Sequence, residues 1–298
     1  MNKKFYEKKI IFFGTPVWEL TSRHLKMFLE NNANIVAFVE ADIEKLSTTV
    51  TKEDPYENIT SVARRLNIPT YIPKNLKEPE FIKYLKSFNA DIFIVCGFQF
   101  YIPEIVLEIP PMGVINFHSS LLPRHCGMHP GFFTIWYGDR ESGMTIHLMD
   151  NGLDTGDIIY QSKVPVYPDD SIASLYDRIW DSTEALVPKL LDSIERGILP
   201  RKPQDMSRYF YNYEISDKDF ELDFRQPADV LCGRIKMMPG RFYYIWDGKR
   251  YYVGDCSVIK EPKKNRCYNF RTPIDNDGKI IFLTPRNYLQ IERISEVR

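Results

Sequence analysis

The stretch Asp91-Ile-Phe-Ile-Val-Cys96 constrains this chain most, because it holds nothing polar between its first and last residues. A strand apolar on both faces must be covered on both faces, which is the situation of a central strand in a mostly parallel sheet wrapped by helices. The flanking sequence supplies those helices. Lys9 to Phe13 reads as a buried strand, followed by Gly14-Thr15-Pro16 and an amphipathic stretch from Glu19 to Glu30 with Leu20, Leu25, Met27, Phe28 and Leu29 apolar. Asn34 to Glu40 predicts another strand, and Ile59 to Leu66 and Glu78 to Lys86 predict helices. Further strands follow at Gly113 to His118, Gly143 to Met149 and Ile158 to Val164, with a helix at Phe132 to Tyr137. Ser171 to Arg196 reads as one helix, kinked at Pro188 and ended by Gly197.

Leu199-Pro200-Arg201-Lys202-Pro203 reads as a linker. Beyond it the texture changes to short aromatic strands, Phe242 to Trp246 and Tyr251 to Val253, joined by Asp247-Gly248. A length of 298 residues suits two domains at about 150 residues each. The expectation is an α/β chain, with a Rossmann-like, mostly parallel sheet over residues 1–200 and a smaller β-rich, OB-like domain over 207–298.

Lys+Arg 39 against Asp+Glu 40 gives a net charge of −1, without the strongly basic signature of a protein that lives on phosphate backbones. No apolar run approaches the roughly 18 residues of a membrane span. Met1 to Lys9 leads into a strand rather than a cleavable signal, so a cytoplasmic protein with no membrane partner is expected. The cysteines, Cys96, Cys126, Cys232, Cys256 and Cys267, are odd in number and widely spaced, which argues for reduced thiols.

The densest run of unusual residues is Ile115-Asn116-Phe117-His118-Ser119-Ser120-Leu121-Leu122-Pro123. Asn116 and His118 are two apart, so an extended chain sets them on one face with Phe117 on the other. They stand at the carboxyl end of a strand, where open α/β sheets bind ligands. Asp150-Asn151-Gly152-Leu153-Asp154-Thr155-Gly156-Asp157 is an acidic, glycine-punctuated loop that would return an aspartate over the sheet edge. An amide N–H, an imidazole and a carboxylate suit acyl transfer to an amine. The amide donates to the oxyanion, the imidazole moves the amine's proton and the carboxylate holds the imidazole and favours its charged form. Other chemistries fit less well. His118, His125, Cys126 and His129 crowd one loop, but Gly127 and Pro130 interrupt it and no CxxC or HExxH spacing supports a metal. The chain has no Gly-x-Ser-x-Gly elbow beside Ser119 and Ser120, and Gly14-Thr15-Pro16 lacks the glycine spacing of a dinucleotide fingerprint or P-loop.

Taken together these motifs resemble the folate-dependent formyltransferases, a family that includes methionyl-tRNA formyltransferase, glycinamide ribonucleotide transformylase and the sugar N-formyltransferases. The resemblance rests on Ile11-Phe12-Phe13-Gly14-Thr15-Pro16, Cys96-Gly97-Phe98 with Ile102-Pro103, and Asn116-x-His118-x-Ser120-Leu121-Leu122-Pro123. It continues through Gly143-Met144-Thr145-Ile146-His147-x-Met149-Asp150 and Gly152-Leu153-Asp154-Thr155-Gly156-Asp157-Ile158-Ile159. It implies catalysis by Asn116, His118 and Asp154, and N10-formyltetrahydrofolate as formyl donor with no metal. It also implies a pterin pocket at Phe98, Phe100, Tyr101, Ile102, Asp150, Asn151 and Gly152. Substrate contacts are implied at Gly14, Thr15, Pro16, Arg124, Met128 and His129.

The acceptor divides the family. A glycinamide ribonucleotide enzyme ends near the helix read at Ser171 to Arg196, whereas this chain continues for a hundred residues. Methionyl-tRNA formyltransferases carry a basic insertion after the second strand. Here that strand leads into acidic Val39-Glu40-Ala41-Asp42-Ile43-Glu44, and the loop Gly127-Met128-His129-Pro130 is closer to the sugar enzymes. Residues 1–200 hold 20 Lys+Arg and 26 Asp+Glu, net −6, while 201–298 hold 19 and 14, net +5. That mild surplus suits a nucleotide diphosphate better than a tRNA. Lys202, Arg234, Lys236 and Arg241 join Arg124 as candidates for phosphate or ribose.

The resemblance therefore points to formylation of a nucleotide-linked amino sugar, with a dTDP-linked amino-dideoxyhexose for a surface polysaccharide such as the lipopolysaccharide O-antigen as the expected acceptor. Methionyl-tRNA formyltransferase and a non-catalytic folate- or nucleotide-binding member are the alternatives. Tyr 18 and Phe 19 are in excess. Those past residue 207 suit base stacking, a homodimer interface or plain strand packing.

Overall fold

The computed structural model describes residues 5–16, 18–43, 57–261, 270 and 272–295; Glu44 of the acidic stretch and Cys267 lie outside them. The elements run β1 (Ile10–Gly14), α1 (Glu19–Glu30), β2 (Ile35–Glu40), α2 (Ile59–Leu66), β3 (Thr70–Tyr71), α3 (Pro79–Ser87), β4 (Ile92–Cys96), α4 (Glu104–Leu107), β5 (Val114–His118), β6 (Arg124–Cys126), α5 (Pro130–Trp136), β7 (Glu141–Leu148) and β8 (Ile158–Pro165). After them come α6 (Ile172–Asp181), α7 (Leu186–Glu195), β9 (Phe210–Tyr211), α8 (Ala228–Met237), β10 (Tyr243–Trp246), β11 (Lys249–Ile259), β12 (Ile274–Asn276), β13 (Lys279–Leu283) and β14 (Tyr288–Ser295). Two compact units form. One holds the described residues up to Gly127 with Gly143–Val164 and Arg178–Tyr211; the other holds Met128–Ser142, Pro165–Asp177 and the described residues from Asn212 on.

The sheet of the first unit runs β3-β2-β1-β4-β5-β7-β8. It is parallel from β3 to β5 and turns antiparallel where β5 meets β7. The strand alternation sorts its aromatics between two layers. Phe12 of β1 and Phe117 of β5 meet Phe28 of α1 at ring-centroid distances of 5.7 and 5.9 Å. Ile11 and Phe13 of β1 and Val114 of β5 pack in the other layer with Phe81 and Leu85 of α3 and Val106 of α4. Val114, Asn116 and His118 share a face, so both polar residues leave β5 on that second side, beyond the edge of its apolar layer.

The helix read from Ser171 to Arg196 is two helices, α6 and α7. The side-chain hydroxyls of Ser182 and Thr183 each donate at 2.5 Å to a carbonyl of the last turn of α6, those of Ile179 and Trp180, and so compete with continued helix. Pro188 is the third residue of α7, where a missing N–H breaks no helical bond, so it starts a helix rather than kinking one.

The second unit carries an antiparallel sheet of order β10-β11-β14-β13-β12, with Phe220, Phe224, Leu231, Ile235, Phe242, Phe282 and Leu289 among its buried residues. Asp247 and Gly248 both take positive φ, +47° and +69°, which makes the tight β10–β11 turn expected from the sequence. The strand read at Tyr251 to Val253 is longer, Lys249–Ile259. No helix among the described residues is long and apolar enough to cross a membrane.

Candidate active site

Asn116 is the one half-exposed residue of β5; its neighbours in the strand are buried. In the antiparallel register with β7, Asn116 lies opposite His147 and His118 opposite Thr145, so Asn116 and His147 share a face. The 150–157 loop then brings Asp154 back over both. Two features shape this loop. Asp150 Oδ1 accepts from Gly152 N–H at 3.0 Å and from the Thr155 hydroxyl at 2.6 Å, closing the turn locally. Gly156 passes so close to β7 that a Cβ would stand 2.0 Å from the Leu148 carbonyl oxygen, so glycine is required by space.

The polar groups converge within hydrogen-bond or ion-pair reach. His118 Nε2 lies 2.8 Å from the carbonyl oxygen of His125, which only accepts, so Nε2 carries the proton and Nδ1 is the basic nitrogen. Nδ1 faces Asp154 Oδ2 at 3.5 Å. Asn116 Nδ2 lies 3.2 Å from His147 Nε2 and donates to Asp154 Oδ1 at a long 3.4 Å. His147 Nδ1 donates to the Leu148 carbonyl at 2.8 Å, which leaves Nε2 to accept from Asn116 and orient its amide. Asp154 also accepts from Gly127 N–H at 2.7 Å.

These partners decide the charge on Asp154, whose side chain is 14 % exposed. Burial alone would raise its pKa. The fields of His118 and His147 and the hydrogen bond from the Gly127 N–H overcome burial and hold the carboxyl well below its usual range. The site therefore presents a fixed carboxylate, an imidazole of defined tautomer and an amide with N–H donors on weak, long contacts that an incoming oxygen can replace.

The other residues expected from the sequence are distributed as follows. Phe98 meets Phe13 at 5.5 Å and Phe100 at 5.6 Å, both edge to face. Tyr101 is 60 % exposed, while the side chain of Ile102 is buried in the apolar layer and offers a ligand only its backbone. Asn151 donates to Glu104 of α4 at 2.8 Å, and Asp150, Asn151 and Gly152 are exposed. Thr15 is fully buried with its hydroxyl donating to the Gly97 carbonyl, so Gly14 and Thr15 shape the loop after β1 rather than presenting side chains. The Arg124 guanidinium lies 5.0 Å from the Phe210 ring.

Met128 and His129 belong to the second unit. The Met128 carbonyl accepts from Asn212, and burial lowers the His129 pKa against the opposing field of Glu214. Arg234 and Arg241 lie over the rings of Trp136 and Phe220 at 3.5 and 4.7 Å, inside that same unit. Among the described residues no three His, Cys, Asp or Glu side chains converge to hold a metal ion. His147 was missed as a contributor, because its place opposite Asn116 depends on an antiparallel pairing that strand patterns alone do not specify.

Residues 8–191 match the model of the formyl transferase family, more than half of the chain. The chain belongs to the formyl transferase family. Among curated formyl transferases, the methionyl-tRNA formyltransferase of Trichlorobacter lovleyi is 33% identical over 229 residues, 76% of this chain and 71% of that protein. Among solved structures, the N-formyltransferase of Helicobacter canadensis in complex with folinic acid and dTDP-3-aminofucose superposes with a TM-score of 0.67 at 17% identity. It covers 97% of this chain and 99% of its own. WlaRD, a sugar 3-N-formyltransferase solved with dTDP and 5-N-formyl-tetrahydrofolate, gives a TM-score of 0.68 at 18% identity, covering 96% and 97%. At these identities the two structures speak for the fold of this formyl transferase.

Proposed function

We propose that this formyl transferase moves the formyl group of N10-formyltetrahydrofolate to the amino group of a nucleotide-linked amino sugar, namely a dTDP-linked amino-dideoxyhexose. The observation that carries the chemistry is the convergence of Asn116, His118 and Asp154 around one edge of the sheet. The neutral amine forms a bond to the formyl carbon and the carbonyl oxygen becomes an oxyanion, to which Asn116 donates. His118 takes the proton that the new N–C bond makes acidic, and Asp154 stabilises the resulting charge. The C–N10 bond then breaks and the proton returns to N10 as tetrahydrofolate leaves. His147 keeps the Asn116 amide aimed. The donor supplies the activated formyl carbon. Phe98 and Phe100 offer edges and the exposed 150–152 turn offers backbone groups suited to a flat, polar pterin.

For the acceptor, the support is the net −6 of residues 1–200 and the acidic run after β2. It is joined by likeness along nearly the whole chain to enzymes solved with dTDP or dTDP-3-aminofucose. We take residues 1–200 as the transfer domain and 207–298 as the β-rich accessory domain. The 33% identity to a methionyl-tRNA formyltransferase favours tRNA as the second reading. The discriminating experiment incubates the protein and N10-formyltetrahydrofolate with a panel of amino-sugar nucleotides and, separately, with charged initiator tRNA. Mass spectrometry of the sugar nucleotides should show gain of one formyl group; formylation of the tRNA alone overturns the sugar reading.

A further inference from the structure

We propose that Gln204 is a positioning residue for formyl transfer, holding Asp154 in the backbone conformation from which its carboxylate reaches His118. This rests on the assignment of Asn116, His118 and Asp154 made above. Asp154 has φ +55°, the left-handed region, which a residue with a Cβ occupies at a cost unless its surroundings hold it there.

The holding contacts come from the residue immediately after the stretch read in the sequence as a linker, Leu199 to Pro203. Gln204 Nε2 donates to the carbonyl of Asp154 at 2.8 Å and to that of Gly156 at 2.7 Å, one N–H for each, so a single amide grips the backbone on both sides of Thr155. The opposite amide orientation would set oxygen against two acceptors, which fixes the assignment. Gln204 Oε1 is buried without a hydrogen-bond partner. A native structure rarely leaves such a group unpaired, so this amide serves the loop through its N–H groups at the expense of its own oxygen.

The neighbouring contacts place Gln204 in a strap that touches both catalytic partners. The backbone N–H and carbonyl of Lys202 pair with those of Ile158 at 2.9 Å each, and Tyr209 donates to the Leu153 carbonyl at 3.3 Å. Phe210 N–H donates to the Pro123 carbonyl at 3.0 Å, and the Phe210 ring lies edge-on to His125 at 5.7 Å. His125 provides the carbonyl that holds His118 Nε2. One run of chain thus supports the loop bearing Asp154 and the strand that sets the His118 tautomer, and Gln204 is its direct link to Asp154.

The test is a double-mutant cycle on the full chain. Transfer from N10-formyltetrahydrofolate is followed as tetrahydrofolate release, with a dTDP-linked amino sugar as acceptor or, where that is inert, charged initiator tRNA. Rates are referred to the folded fraction found by thermal unfolding. Gln204→Met keeps length and removes both donors. The inference predicts a fall in kcat of about 10–100-fold, as for a catalytic group displaced by about an ångström, with KM for the donor changed less than about 3-fold. In an Asp154→Asn background the same substitution should cost less than about 3-fold more, because Gln204 acts through Asp154. Wild-type kcat in Gln204→Met, or losses that simply multiply in the double variant, overturns the inference. Gln204→Glu, isosteric with the native side chain, carries the same test where the methionine variant does not fold. Wild-type turnover by Asp154→Asn alone overturns the assignment of the trio instead, so the two failures are distinguishable.

Discussion

Replacing Asp154 with Asn removes one charge while keeping the shape and an oxygen for the Gly127 N–H. Asp154 Oδ2 lies 3.5 Å from His118 Nδ1. At an effective dielectric constant of about 20, a full positive charge at that distance is stabilised by roughly 4–5 kcal/mol. The proton is only partly on His118 in the transition state, so about half to all of this enters the barrier. At about 1.4 kcal/mol per decade, kcat/KM should fall by roughly 50- to 3,000-fold. The assay is initial-rate tetrahydrofolate release near neutral pH, with thermal unfolding alongside to confirm that the variant is folded. Retention of kcat/KM within about 3-fold of wild type would refute the electrostatic reasoning, because no other charge in the described site replaces Asp154 beside Nδ1.

Further outcomes follow from the same geometry. Asn116→Ala, which removes the proposed oxyanion donor and leaves His147 Nε2 without its partner, should lower kcat about 100- to 1,000-fold with a smaller change in KM, measured at saturating donor. The native state favours charged Asp154, so that contribution to stability is complete above the ordinary carboxylate range near 4 and lost as pH falls towards its depressed value. Urea melts should therefore show wild type more stable than Asp154→Asn at neutral pH, with the gap closing below about pH 4. Phe28→Ala, at a fully buried ring between Phe12 and Phe117, should cost about 3–5 kcal/mol by denaturant unfolding. Gly156→Ala should abolish transfer while leaving most of the fold intact by circular dichroism, because its Cβ meets the Leu148 carbonyl and must displace the Asp154 loop.

Much of the first unit was legible from local pattern. The apolar runs at Ile10–Gly14 and Ile92–Cys96 announce themselves, since strands buried on both faces tolerate nothing polar. The two-residue spacing of Asn116 and His118 is a property of any extended chain, so their shared face needed no tertiary knowledge. Asp154 was legible as a member of a turn-rich acidic loop between strands. What stayed hidden depends on contacts between residues far apart in sequence. His147 acquires its place from the register of β5 with β7. Leu199 to Pro203 looks like a polar, proline-rich linker, yet Lys202 pairs with Ile158, and just beyond it Gln204 grips the Asp154 loop and Phe210 bonds to Pro123. The end of α6 was set by hydroxyls of Ser182 and Thr183, residues that helical periodicity passes over.

Under the proposed mechanism His118, with its tautomer set by the His125 carbonyl and Asp154 beside Nδ1, moves the proton during formyl transfer. The most direct measurement is turnover of His118→Ala with saturating N10-formyltetrahydrofolate and whichever acceptor the wild-type protein formylates, sugar nucleotide or initiator tRNA, on protein shown to be folded. Turnover should fall at least about 100-fold in kcat with the donor still bound. Near-normal turnover by this variant would contradict the mechanism.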